Sequence, residues 1–159
     1  MAIDPPRRPP PTALPADDIP RPPALRIDDL EVYPPVLQAP MAGLTTISMR
    51  TLAEEQGCGL TISEWLPATA VAAGVESALR KLKPSVGERP FGVQLFGREP
   101  RAIERAAGIC CGIGASVVDI NMGCPGKRAR SGATGAALMR EPDLAAELVQ
   151  AALDGVAGR

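Results

Sequence analysis

Histidine is absent from this 159-residue chain, and Ser-His-Asp and Cys-His catalysis go with it, because both need an imidazole to carry the proton. The four cysteines, Cys58, Cys110, Cys111 and Cys124, never fall into C-x-x-C spacing. A structural zinc site therefore has neither its usual thiolate pattern nor its usual imidazoles. No stretch approaches the ~20 apolar residues of a membrane span, and no early segment has the apolar run of a signal peptide. The default expectation is a cytoplasmic protein. The formal charge is only −1, so no overall basic field advertises a nucleic-acid partner and only a local patch remains open.

Proline, by contrast, is abundant and lopsided: 9 of the 18 prolines lie in the first 24 residues. Each removes an amide donor and fixes φ, which rules out helix and sheet ladder alike. Residues 1–24 are expected to be a disordered or polyproline II tail, leaving 25–159 as one domain. The P-x-x-P matches there arise in any proline-rich stretch.

From Val36 onward, short apolar runs alternate with longer amphipathic stretches. The runs predict strands at 36–41, 60–64, 91–96 and 116–121. Helices are predicted at about 47–56, 69–83, 100–111 and 142–154. In the third helix Ile103, Ala106, Ala107 and Cys110 recur at i, i+3, i+4 and i+7, which predicts a face on the core. Pro100 and Pro142 suit the first helical position, whose amide has no partner anyway, and Gly57 and Gly155 are expected to end helices. Four βα units in a row imply right-handed crossovers and a parallel sheet. An open sheet and the first half of a barrel both fit, since a complete (β/α)8 barrel needs about 250 residues.

Ligands in parallel α/β folds sit at the C-terminal tips of the strands. At the first tip, Pro40, Met41 and Ala42 are followed by Gly43, where a flat heterocycle could approach the backbone closely; a plain tight turn is the alternative. At the third tip, Gln94 carries a carboxamide that both donates and accepts, matching a ring with alternating polar positions, or merely capping the strand. In the fourth strand Asp119 and Asn121 share a face by its period of two. Asn121 is near the tip and suits a ligand, while the deeper Asp119 is read as a hydrogen-bonded structural carboxylate. Glu64 ends the second strand beside Trp65, with ligand contact and capping both open. Gly112 and Gly114 follow a helix and precede a strand, the wrong order for a dinucleotide fingerprint, and are read as a turn.

Cys124 follows Asn121, Met122 and Gly123 and precedes Pro125, in a loop rather than an apolar stripe. Reactivity is the better reading. A thiol of ordinary acidity is mostly protonated at neutral pH and can act as a general acid, although Lys127, Arg128 and Arg130 nearby would favour thiolate. Cys58, Cys110 and Cys111 are read as structural.

With these residues in hand, the chain resembles the tRNA-dihydrouridine synthase family. The matching segments are APMAGLT at 39–45 with Arg50, TISEW at 61–65, VQLFGREP at 93–100, VVDINMGCPGKRAR at 117–130 and SGATGAALMREPDL at 131–144. The resemblance implies an α/β fold that is the first half, about four βα units, of a flavin-binding TIM barrel. It implies reduction of tRNA uridine by FMN, with NADPH as reductant and a loop cysteine as general acid. Carried over by position, Cys124 is that acid, Pro40, Met41 and Ala42 line the flavin, Gln94 bonds its pyrimidine edge, and Asn121 contacts the base. Lys127 and Arg128 would meet RNA phosphate. The family usually has Asp and Phe where this chain has Thr46 and Met49. Strands five to eight, with a flavin-facing lysine, a phosphate site and a helical tRNA-binding domain, would come from a missing C-terminal half, so the isolated chain is expected to bind FMN poorly. Two other readings stand beside this one: a non-catalytic fragment, and an enzyme of free pyrimidines such as dihydroorotate dehydrogenase, where an asparagine commonly follows the Cys-Pro pair instead of Gly126.

Overall fold

The computed structural model describes residues 20–84, 90–126 and 134–157. Most of the expected proline-rich tail lies outside them, and residues 20–24 form neither helix nor strand. Lys127, Arg128 and Arg130 also lie outside the described residues.

The chain opens with an antiparallel hairpin, β1 (Leu25–Ile27) and β2 (Leu30–Val32). Asp28 makes its turn at φ 54°, a left-handed conformation that the short polar aspartate tolerates. The strands are three residues each, too short for alternation to reveal them, and the sequence reading missed them. Four parallel units follow. β3 (Leu37–Gln38) leads into α1 (Ile47–Glu55), and β4 (Leu60–Ile62) leads through β5 (Leu66–Pro67) into α2 (Ala68–Ala72) and α3 (Glu76–Lys81). β6 (Phe91–Phe96) is followed by α4 (Pro100–Gly112), and β7 (Val117–Ile120) by a 3-10 turn (Gly135–Arg140) and α5 (Pro142–Val156).

β3 pairs with β4, β4 with β6, and β6 with β7, all parallel. β5 also pairs with β6, and because Leu95 is matched to Leu66 and to Ile120, β5 must lie on the side away from β7. β4 and β5 thus lie in line on one side of β6, interrupted at residues 63–65.

β6 is the central strand, and its alternation divides the molecule. Phe91, Val93 and Leu95 face the helices and are buried against Val71 of α2, Ile103, Ala106 and Cys110 of α4, and Leu148 and Ala151 of α5. Each large apolar side chain buried there contributes about 1.5–3 kcal/mol. Gln94 falls on the opposite face, as period two requires. The predicted stripe on α4 is therefore the core face, with Ile103, Ala106, Ala107 and Cys110 all fully buried.

Three local expectations need correction. The first strand covers only Leu37–Gln38, since Val36 and Leu37 are exposed at the sheet's edge. The second helix breaks in two at Gly74, whose φ of 71° is cheap only for glycine; Val71 and Ala70 carbonyls accept from the Gly74 and Val75 amides to close the first piece. Gly155 does not end a helix: α5 runs on to Val156. A Cβ at Gly155 would overlap the Glu104 carbonyl of α4, so this glycine is there to let two helices touch. Gly57, at φ 85°, does end α1, and Gly114, at φ 90°, turns α4 into β7 as expected. Thr46 caps α1, its hydroxyl accepting from the Met49 amide at 3.4 Å, the work an aspartate would do at that position.

Two expectations follow from the packing. Gly155→Ala should destabilise the chain by about 1–3 kcal/mol in urea unfolding, the usual range for overpacking; an unchanged midpoint would contradict the contact. Burial pushes the Cys110 thiol up to about 12, so it stays protonated at pH 8 and thiolate, the nucleophile, is scarce. Iodoacetamide at pH 8 should spare Cys110 in the folded chain and modify it in urea, as peptide mass mapping would show.

Candidate active site

The register of the two central strands creates the site. Gln94 is paired directly with Asp119 across β6 and β7, and Asn121 follows two residues on, on the same face. Gln94 Nε2 donates to Asp119 Oδ2 at 2.5 Å, and Asn121 Nδ2 donates to Gln94 Oε1 at 3.0 Å. Asn121 Oδ1 in turn accepts from the amides of Gly123 at 3.3 Å and Cys124 at 3.0 Å. A carboxylate at one end and two backbone N–H groups at the other fix the orientation of both carboxamides, since a carboxylate only accepts and an amide N–H only donates. Gln94 and Asn121 are each 8% exposed, so breaking one link leaves buried polar atoms unpaired, at a cost of about 1–3 kcal/mol each.

Three polar sites on the two carboxamides remain for a ligand. Gln94 keeps one N–H and one lone pair. Asn121 keeps one N–H, its oxygen being fully used by the loop. The Gln94 backbone amide is held too, donating to Ser63 Oγ at 3.3 Å where the β4–β5 line is interrupted.

A cleft of about 580 Å³ opens over this row, lined by Pro40, Ala42, Trp65, Gln94, Asp119, Asn121, Gly123 and Cys124, with Ile120 and Met122. Of the residues nominated from sequence, Pro40, Ala42, Gln94, Asn121 and Cys124 line it, Lys127 and Arg128 lie outside the described residues, and Met41, 38% exposed, is absent from the lining. Its backbone instead organises the loop: Thr45 Oγ1 accepts from the Met41 amide at 3.1 Å and donates to the Met41 carbonyl at 3.0 Å. Arg50, buried beneath, donates to the Thr45 carbonyl at 3.3 Å and to the Lys83 carbonyl at 2.8 Å. Glu64 caps rather than faces the cleft, accepting from the Gly43 amide.

Cys124 lies at the cleft and also borders a small apolar pocket of about 40 Å³ with Trp65, Phe96, Asn121, Gly126, Thr134 and Gly135. A Cβ at Gly126 would stand in ordinary contact with the Cys124 sulfur, at 3.4 Å. Trp65 was not nominated from sequence as a site residue. It packs edge-on against Phe96, ring centroids 4.5 Å apart at 87°, which holds it between cleft and pocket. Its place beside Glu64 at a strand end was the only signal. Asp119 is hydrogen-bonded, in keeping with its structural reading. Among the described residues no group of three His, Cys, Asp or Glu side chains is placed to hold a metal ion, and no helix is long and apolar enough to cross a membrane.

The sequence that builds this site has relatives among known proteins. Residues 37–157 match the family described as dihydrouridine synthase (Dus). A probable tRNA-dihydrouridine synthase of Rhodobacter capsulatus is 40% identical over 83% of this chain and 41% of its own length. One of Rhizobium leguminosarum bv. phaseoli is 40% identical over 76% of the chain and 38% of its length. The tRNA-dihydrouridine synthase B of Xanthomonas campestris pv. campestris is 35% identical over 83% of the chain and 40% of its length. The chain therefore spans about two fifths of these relatives, with the α/β architecture of part of a TIM barrel. On the match over residues 37–157, the chain belongs to the dihydrouridine synthase family.

Proposed function

We propose that this chain is the catalytic-cysteine part of an enzyme that reduces uridine in tRNA to 5,6-dihydrouridine. The observation that carries this reading is the convergence of Gln94, Asn121 and Cys124 on one cleft in a member of this family. The cleft suits a flat heterocycle: its volume lies in the ordinary range for small-molecule sites, and Pro40 and Ala42 flank it with little bulk. Gln94 offers its spare N–H and lone pair to the pyrimidine edge of FMN. FMN held there, with NADPH as its reductant, would supply hydride chemistry at C6 of uracil.

The chain's own residues do the rest. Asn121, with one N–H left, acts toward the base only as a donor, and a uracil carbonyl is the matching acceptor. Cys124 gives its S–H proton to C5, so the C5=C6 bond gains a hydride and a proton, and solvent reprotonates the sulfur. The base must leave the stack to reach this cleft, because stacked C5 and C6 are covered. Lys127 and Arg128 would meet phosphate of the tRNA, a cytoplasmic partner.

The proposal includes a second polypeptide segment. β7 has no partner on its outer side among the described residues, and a groove of about 560 Å³ runs beside it, lined by Ile27, Val117, Val118, Val149 and Leu153 among others. An unpaired edge with apolar flanks is a template for a further strand and helix. We assign it to a segment equivalent to the remaining length of the relatives.

The test joins this chain to that remainder of the Rhodobacter capsulatus relative and assays dihydrouridine in tRNA lacking it. Activity is expected with FMN and NADPH, and Cys124→Ala should lower it by roughly 10²–10⁴-fold, the usual weight of a general acid. Undiminished activity in the variant would overturn the role of Cys124. The unjoined chain should bind FMN only weakly, and tight one-to-one binding would contradict the need for a second segment.

A further inference from the structure

Glu64 stands at the interruption between β4 and β5, and its side chain is 12% exposed. Its two oxygens reach different parts of the molecule. Oε2 accepts from the Gly43 amide at 3.1 Å, and Oε1 lies 3.1 Å from Lys81 Nζ on α3. Gly43 belongs to the β3–α1 loop, at φ 73°, immediately after the Pro40 and Ala42 that flank the cleft. The bonds from Thr45 to Met41 close that loop on itself. The pairing of β3 with β4 holds the start of the loop, and Glu64, beside the β4 and β5 strands that pair with β6, adds a second tie farther along, at Gly43.

We propose that Glu64 is a positioning residue that ties the β3–α1 loop to the sheet and so sets the gap into which a flat ring fits. The proposal rests on the flavin reading above. The bond to the Gly43 amide does most of the holding, and what it requires is an acceptor oxygen at that place. Lys81 is half-exposed, and an ion pair there is worth little. It aims the carboxylate rather than supplying the hold. A neutral acceptor of the same shape should therefore replace Glu64, and removal of the acceptor should not be tolerated.

Hydrogen exchange on the full 159-residue chain reads the tie directly. In Glu64→Ala the Gly43 amide should exchange about tenfold faster or more while Val93 and Leu95 amides keep their rates. Those core amides separate a loosened loop from a poorly folded variant. In Glu64→Gln and Lys81→Met the Gly43 rate should stay within about threefold of the parent. Lumiflavin, a ring without phosphate, is then titrated into each chain joined to the relative's C-terminal remainder. Its affinity should fall about tenfold in Glu64→Ala only. Unchanged Gly43 exchange in Glu64→Ala overturns the tie, and equal loss in Glu64→Gln overturns the acceptor role. Unchanged lumiflavin affinity across the series overturns the setting of the gap. Failure of the parent to bind lumiflavin rejects the flavin reading and with it the ring gap, while exchange still decides whether Glu64 holds the loop.

Discussion

The row of hydrogen bonds from Asp119 through Gln94 and Asn121 to the Cys124 amide is the constraint on which the site depends. It works because every link has a forced direction. An acceptor-only carboxylate begins the row and donor-only amides end it, so neither carboxamide can flip without setting like groups against each other. The row spans two strands and a loop, and it joins Gln94 to the loop that carries the thiol. Low exposure of Gln94 and Asn121 makes the links mutually dependent, since each bond lost leaves a mostly buried polar atom short of a partner.

That row is possible only because the apolar side of the sheet is so well determined. Phe91, Val93 and Leu95 are locked against the helices, and a one-residue slip of β6 would turn Gln94 into the core. Packing on one face thus enforces chemistry on the other. The helices are fixed in turn by close approach, with Gly155 letting α5 rest on α4 at the Glu104 carbonyl. The cost of this economy is an edge: β7 ends the described sheet with an apolar groove alongside, in keeping with a chain that spans about two fifths of its relatives.

How much of this the sequence showed depended on the length of the signal. β6 was legible to the residue, because six apolar-rich positions bounded by Pro90 and Gly97 have one reading. So was the α4 stripe. Asp119 and Asn121 on one face followed from period two, whereas Gln94, expected at the strand's tip, lies two residues before β6 ends. What the sequence did not show were features set by tertiary partners. The β1–β2 hairpin is too short to show a period. Gly74 interrupts an otherwise helical pattern, and propensity alone treats a lone glycine there as tolerable. The interruption at residues 63–65 leaves Ser63 to bond Gln94 and Glu64 to reach Gly43, contacts separated by 31 and 21 residues in sequence. Trp65 was visible as a residue and invisible as a wall, because only its contact with Phe96 turns it toward the cleft.

The side-chain amide protons of Gln94 and Asn121, followed by NMR in the 159-residue chain, test the central claim most directly. Each carboxamide should show one proton exchanging far more slowly than the other, the Gln94 proton held by Asp119 and the Asn121 proton held by Gln94. Rapid exchange of all four protons, at the rate of free carboxamides, would contradict the account.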